Sequence, residues 1–171
     1  MNSAIFNPSV LTFRVAKKTK GLRAKPMVNL LVDKTVMSKF LVDTLEAKEP
    51  VHADAMFCIG ESNDAWQQSA KNLLKKYTVD AIDAEGWLVC NPKAENSVEF
   101  AEITDAGLDL DTSFGTAGSG WIVGQWGETI NGVQNLQRFK MDDFVVRNRE
   151  DHSDVWIVAR KIFLNTYTEL A

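Results

Sequence analysis

Two stretches decide the fold when set side by side: Asp64-Ala65-Trp66-Gln67-Gln68-Ser69-Ala70-Lys71-Asn72-Leu73-Leu74-Lys75-Lys76-Tyr77-Thr78 and Asp154-Val155-Trp156-Ile157-Val158-Ala159-Arg160-Lys161-Ile162-Phe163-Leu164-Asn165-Thr166-Tyr167-Thr168. At a constant offset of 90, Asp64/Asp154, Trp66/Trp156, Lys71/Lys161, Leu74/Leu164, Tyr77/Tyr167 and Thr78/Thr168 are identical. Leu73/Phe163 is a like-for-like pair. A two-residue shift upstream matches Asp54 with Asp142, Met56 with Phe144, Phe57 with Val145 and Gly60 with Asn148. Gly60 and Asn148 both tolerate a left-handed backbone, which suits a turn. Further up, Phe40 to Leu45 faces Trp121 to Trp126. Repetition in the same order along the chain predicts a duplicated unit.

Within the first copy, Trp66, Ala70, Leu73, Leu74 and Tyr77 share one stripe of a helix. Asp64 and Gln67 have capping-box spacing, and Lys71, Lys75 and Lys76 sit toward the end that the helix dipole makes favourable for cations. The pattern predicts a helix over 65–77 with Leu73 and Leu74 on its buried side. In the second copy, Ala159 to Tyr167 is expected as a short helix burying Ile162, Phe163 and Tyr167. Outward from these, strands are expected at Val10–Val15, Met27–Val32, Val36–Val42, Ala55–Ile59, Trp87–Cys90, Trp121–Trp126, Phe144–Val146 and Val155–Val158. Val98–Ile103 reads as a strand or one helical turn. Asn131-Gly132 is a hairpin turn signal. Residues 107–120 read as a loop, and Gly21 and Pro26 punctuate a basic linker. The expected class is α+β: two similar small β-rich units, 1–79 and 80–171, or one compact domain. Each unit is closed by a C-terminal helix, and the two pack about a pseudo-twofold.

The repeated unit also resembles a known family. Met141-Asp142-Asp143-Phe144-Val145-Val146-Arg147-Asn148, then Val155-Trp156-Ile157-Val158, then Ile162-Phe163-Leu164-Asn165-Thr166-Tyr167 is similar to the PGDYG family of bacterial and phage proteins. The first copy matches more loosely, through Thr44-Leu45-Glu46, Asp54 to Gly60 and Leu73 to Tyr77. Lys25-Pro26 before Met27 to Val32 resembles the family's opening strand. Where the family has Pro-Gly-Asp-Tyr-Gly, this chain has Met141-Asp142-Asp143-Phe144-Val145, keeping the Asp and an aromatic. The resemblance implies a fold and two degenerate tandem copies. It implies no chemistry, because the family has no assigned activity.

The totals bound the rest. A chain of 171 residues, 45% hydrophobic and 25% charged, has ordinary globular composition. It is long enough to bury about two-thirds of its unfolded surface without a staple. Cys58 and Cys90 form no CxxC pair and are too few for a disulfide framework, so a reducing, cytoplasmic setting is expected. No secretory signal and no run of about 20 apolar residues is evident. The net charge of −4 hides an asymmetry: residues 1–25 hold six bases and no acid, leaving 13 bases against 23 acids. Residues 80–111 carry nine acids against Lys93 alone. The basic segment is expected to face the protein's own acidic segment, because the rest of the chain repels phosphate.

No residue set is chemically complete. Asp151-His152-Ser153-Asp154 has a histidine beside carboxylates, but neighbours on a turn point apart. His52 near Asp54 shares that weakness. Neither histidine has zinc-ligand spacing, so no metal or other cofactor is expected. Ser113, Ser119 and Ser153 lack a nucleophile elbow, and Cys58 lies between apolar neighbours that make a thiol inert. Gly115-Thr116-Ala117-Gly118-Ser119-Gly120 fits no phosphate-loop spacing and precedes a strand, not a helix. Trp121 and Trp126 fall on opposite strand faces, so one of them is available for contact beside this loop. The expectation is a non-catalytic binding or interaction module, phage-like or accessory, whose partner is a protein or small molecule. Trp121, Trp126, Asp143 and His152 are its candidate contacts, and neither nucleic acid nor membrane is expected. One alternative is a small enzyme with a composite site between the repeats, using Asp143 or His152 as acid or base. The other is a nucleic-acid binder working through residues 14–25.

Overall fold

The structure, a computed structural model, describes residues 5–30, 41–43, 48–52, 54–103 and 119–170. In chain order its strands and helices begin with β1 (Arg14–Lys18), β2 (Leu22–Pro26), β3 (Leu41–Asp43), β4 (Lys48–Pro50), β5 (Ala55–Gly60) and β6 (Ala65–Ser69). Then follow α1 (Ala70–Lys76), β7 (Tyr77–Ile82), β8 (Leu88–Pro92), β9 (Ser97–Glu102), β10 (Ser119–Ile130) and β11 (Val133–Lys140). The chain closes with β12 (Phe144–Arg147), β13 (Val155–Val158), α2 (Arg160–Thr166) and β14 (Tyr167–Glu169). The protein is thus mostly β-sheet with two short helices, an α+β arrangement.

The helix expected over 65–77 is half strand. Ala65 to Ser69 pairs antiparallel with β5, Cys58 opposite Trp66 and Met56 opposite Gln68. Trp66 then shares a face with Met56 and Cys58, which an i, i+4 stripe would not reveal. The helix starts where Ser69 accepts the Asn72 amide at 3.1 Å, the N-cap role expected of Asp64. Two turns bury only a narrow stripe: Leu73 is 1% exposed and Leu74 is 53% exposed. The second helix lies close to its expected place, and Phe163 and Thr166 are its buried residues.

Two five-stranded antiparallel sheets hold most of the chain, ordered β6-β5-β2-β8-β7 and β13-β12-β9-β1-β14. Position by position, the orders correspond, and so do the registers. Met56 opposes Pro26 and Gln68 in the first sheet, as Phe144 opposes Glu102 and Val158 in the second. Ala24 pairs with Cys58 and Leu88, as Phe100 pairs with Val146 and Arg14. Tyr77 opposes Pro92 as Tyr167 opposes Lys18. Backbone bonds outside the ladders repeat too. Gly60 N–H donates to the Asp64 carbonyl at 2.9 Å, and Asn148 N–H to that of Asp154 at 2.9 Å. Lys93 N–H donates to the Lys76 carbonyl at 3.0 Å, and Thr19 N–H to that of Thr166 at 2.8 Å.

The middle strands cross over. β1 lies in the sheet of the C-terminal half, and β8 lies in the sheet of the N-terminal half. The expected boundary at 79/80 falls inside β7, and each sheet takes a strand from the other side of it. β1 and β2 replace the expected basic linker, and their bases occupy strand positions. The strand expected at Val10–Val15 begins instead at Arg14, after a 3-10 turn at Pro8–Val10. Met27 is buried as expected, but in a 3-10 turn over Met27–Asn29. Neither Gly60 nor Asn148 has positive φ. Gly60 matters for space: a Cβ there would meet the Asp64 Oδ1 at 2.5 Å. Much of the glycine loop, and residues 36–40 of another expected strand, lie outside the described residues.

Each sheet buries one face under its own helix. In the first, Leu22, Ala24, Met56, Cys58 and Cys90 pack with Leu73 and Tyr77. In the second, Ala16, Val98, Phe100, Phe144, Val146 and Val158 pack with Phe163, whose ring stacks on Tyr167 at 4.8 Å. The other face of the second sheet is covered by the long hairpin β10–β11, with Ile122 and Phe139 against Val145 and Ile157. Its turn is the expected Asn131-Gly132, at φ 51 and 81, the left-handed pair that matches strand twist. β3 and β4 form a separate two-stranded hairpin.

Candidate functional site

A cavity of about 150 Å³ opens between the two sheets. β6 and β13, the equivalent edge strands, supply its matched walls: Asp64 and Asp154, Trp66 and Trp156. Tyr77 and Tyr167 follow from the ends of the helices. Lys18 reaches in from β1, Lys76 from α1, and Trp126 and Gln137 from the long hairpin.

Cations and aromatic rings interleave here. The Lys18 Nζ lies 4.8 Å from the centre of the Tyr167 ring and 5.6 Å from that of Trp66. The Lys76 Nζ lies 4.5 Å from the centre of the Trp156 ring and 3.7 Å from the Asp154 carboxylate. Each lysine therefore links the sheets through attraction to a ring quadrupole in a partly dry setting. Burial pulls the Lys18 ammonium down to about 8, against the attraction of Asp64 and with the repulsion of Lys76. Burial lowers Lys76 as well, and Asp154 opposes the shift. Both tyrosine hydroxyls are pushed up, chiefly by burial, and Tyr167 also shares a side-chain hydrogen bond with Trp156.

Across the cavity the equivalent positions differ in polarity. β6 and α1 contribute Gln67, Gln68 and Asn72, whereas β13 and α2 contribute Ile157, Val158 and Ile162. One wall is rich in amides and the other is aliphatic. Gln137 braces the floor: its amide donates to the Trp126 carbonyl at 2.8 Å, and its Oε1 accepts the Ile157 amide at 2.9 Å.

Of the sequence candidates, Trp126 is the one that lines this cavity, and it also borders a shallow groove shared with His152. Its ring meets His52 edge-on at 4.6 Å. The His152 Nε2 lies 2.9 Å from the Glu99 carboxylate on an exposed turn, and Glu99 also accepts from Arg147 at 2.8 Å. Asp143 lies apart from both. Its carboxylate accepts the Lys140 amide at 2.9 Å, and burial raises its pKa although the nearby backbone amides of Lys140 and Arg160 pull it down. Trp121 lies far along β10, where its carbonyl takes the Phe6 amide at 2.7 Å. The structure thus separates Trp121 and Asp143 from the pair Trp126 and His152.

The basic segment is divided. Arg14 pairs with Glu169 at 3.0 Å, Lys18 enters the cavity, and Arg23 and Lys25 lie over the Trp87 ring in the other sheet. Cys58 and Cys90 are free and buried, and burial pushes the Cys58 thiol up to about 12 although the Gln68 amide donates to it. Among the described residues no group of three or more His, Cys, Asp or Glu side chains is placed to hold a metal ion. Among them, too, no helix is long and apolar enough to cross a membrane. Comparison with family models, with curated proteins and with solved structures finds no match.

Proposed function

We propose that this protein is a non-catalytic binding module built from two copies of one unit, packed about a pseudo-twofold, with its ligand in the cavity between them. The observation that carries the proposal is that cavity, walled by Asp64/Asp154, Trp66/Trp156 and Tyr77/Tyr167 from the two sheets. Shared strand order and register support the copies, and β1 ties the start of the chain into the second sheet. A junction of two like units is a place where a concave, half-aromatic pocket forms without a dedicated domain.

The bonding of Asp143 and His152 favours binding over catalysis. The Asp143 carboxylate is engaged by the Lys140 amide, and His152 is held by Glu99 outside the cavity. The division of five of the six bases between two sheets likewise favours a small-molecule ligand over nucleic acid, which needs a continuous basic surface. Free, buried cysteines fit a reducing, cytoplasmic setting. The PGDYG resemblance gains support at Asp142, where φ is 72 at the position of the family's glycine.

A fragment screen read by melting temperature tests the proposal. Compounds of one-ring size should raise the melting temperature of the wild type, and the cavity-filling Asn72→Phe should abolish the rise. Hits that persist unchanged in that variant, or no hits at all, would refute a cavity ligand.

A further inference from the structure

We infer that the ligand of this cavity is a small amphipathic anion, one ring bearing a carboxylate-like group, with the anionic group taken by Lys18. The inference rests on the binding reading above and names the chemistry of its ligand. Three observations converge on it.

The first is an ammonium left without a hydrogen-bonding partner. Lys18 faces the rings of Trp66 and Tyr167, yet among the described residues no acceptor hydrogen-bonds its Nζ and no carboxylate lies within ion-pair distance. Asp64 attracts it from farther off. The Asp64 Oδ1 is itself buried against Gly60 without a hydrogen bond. Lys76, by contrast, has Asp154. A half-buried charge at the cavity wall, with ring faces and no acceptor beside it, is costly, and an anion from outside supplies what the fold omits.

The second is the asymmetry of the walls. The strands correspond in register, but Lys18 stands where the other sheet has Pro92. The amide wall beside it faces the aliphatic wall formed by Ile157, Val158 and Ile162. A ligand that fits both walls has a polar end and an apolar end. The third is size: a cavity of about 150 Å³ holds one benzene ring.

The depressed pKa of Lys18, about 8, agrees with this placement. An anion beside the ammonium restores the proton's hold, so binding couples to pH. Affinity for the anion should fall as pH rises past 8 and the free protein's Lys18 loses its charge.

Calorimetric titration of the full chain with benzoate, benzamide and benzylamine tests the inference. Benzoate should bind at least about tenfold more tightly than benzamide, benzylamine should not bind, and Lys18→Met should erase the preference. Lys18→Arg should retain it in part, which separates loss of charge from loss of fold. If benzamide or benzylamine binds as well as benzoate, or if the preference survives Lys18→Met, the anionic class is wrong while the cavity remains a binding site. If no compound of the three binds, both the class and the cavity reading fall.

Discussion

Leu73 and Leu74 are adjacent in sequence, and their burial is opposite. Leu73→Ala should cost about 2–5 kcal/mol, because its side chain is enclosed by the first sheet's core. Leu74→Ala should change stability by less than about 0.5 kcal/mol, since that side chain faces solvent. Urea titration of both variants checks the pair, and equal losses would mean the helix is rotated. Lys18 gives a second residue-scale prediction. In the unfolded chain its pKa is near 10.5 and in the fold it is about 8, so between those values the unfolded chain binds the extra proton. Its contribution to stability therefore rises as pH increases from 8 to 10.5. Cys58 pulls the other way above pH 9, because its folded pKa is raised, and Lys76 adds to the rise. The difference between wild type and Lys18→Met isolates the lysine. At pH 7 the variant should be more stable by up to about 3 kcal/mol, with the gap closing toward pH 10.5. A gap independent of pH would contradict the buried ammonium. Part of this site was legible in the letters. The offset of 90 marked Asp64/Asp154, Trp66/Trp156 and Tyr77/Tyr167, though as folding anchors and not as cavity walls. Lys18 was not legible, because a lysine in a basic run carries no mark of the sheet it will join.

At the scale of elements, the two helices start by different means. α1 has Ser69 as its cap, whereas α2 starts at Ala159 without a side-chain cap. Asp143, on the turn before β12, accepts the Lys140 amide at 2.9 Å, and the backbone amide of Arg160 at the start of α2 also helps hold it charged. Ser69→Ala should cost about 1 kcal/mol. Asp143→Ala should cost about 1–3 kcal/mol and release the amide proton at Lys140, because that donor loses its acceptor. Hydrogen exchange at Lys140 measures this, and undiminished protection in Asp143→Ala would contradict the bond. Strands with apolar runs, such as β5, β12 and β13, were readable, as was the Asn131-Gly132 turn. β1 and β2 were not: they set bases among few apolar residues, and their neighbours on both sides supply the apolar surface that makes them strands. The segment 65–69 was misread because Trp66 and Ala70 fit a helical stripe as well as a strand followed by a helix.

At the scale of the whole molecule, the placement of β1 in the second sheet sets the mechanics. The first sheet is built from one continuous stretch, residues 22–92, whereas the second joins strands of residues 97–169 to β1 from before that stretch, so the second sheet closes only across the first. Unfolding in urea should be one transition, with tryptophan fluorescence and far-ultraviolet circular dichroism coinciding. Two resolved transitions would mean the sheets are independent. The sequence could not show this placement of β1, because strand pairing at long range leaves no local pattern. Five tryptophans provide the reporter for the ligand cavity itself. Trp66, Trp126 and Trp156 line it, whereas Trp87 lies under Arg23 and Lys25 and Trp121 lies along β10. The most direct measurement is the indole N–H spectrum of the full chain titrated with benzoate. The signals of Trp66, Trp126 and Trp156 should shift together and saturate, while those of Trp87 and Trp121 stay in place. Shifts confined to Trp87 or Trp121, or no saturable shift at any of the five, would contradict a ligand site between the sheets.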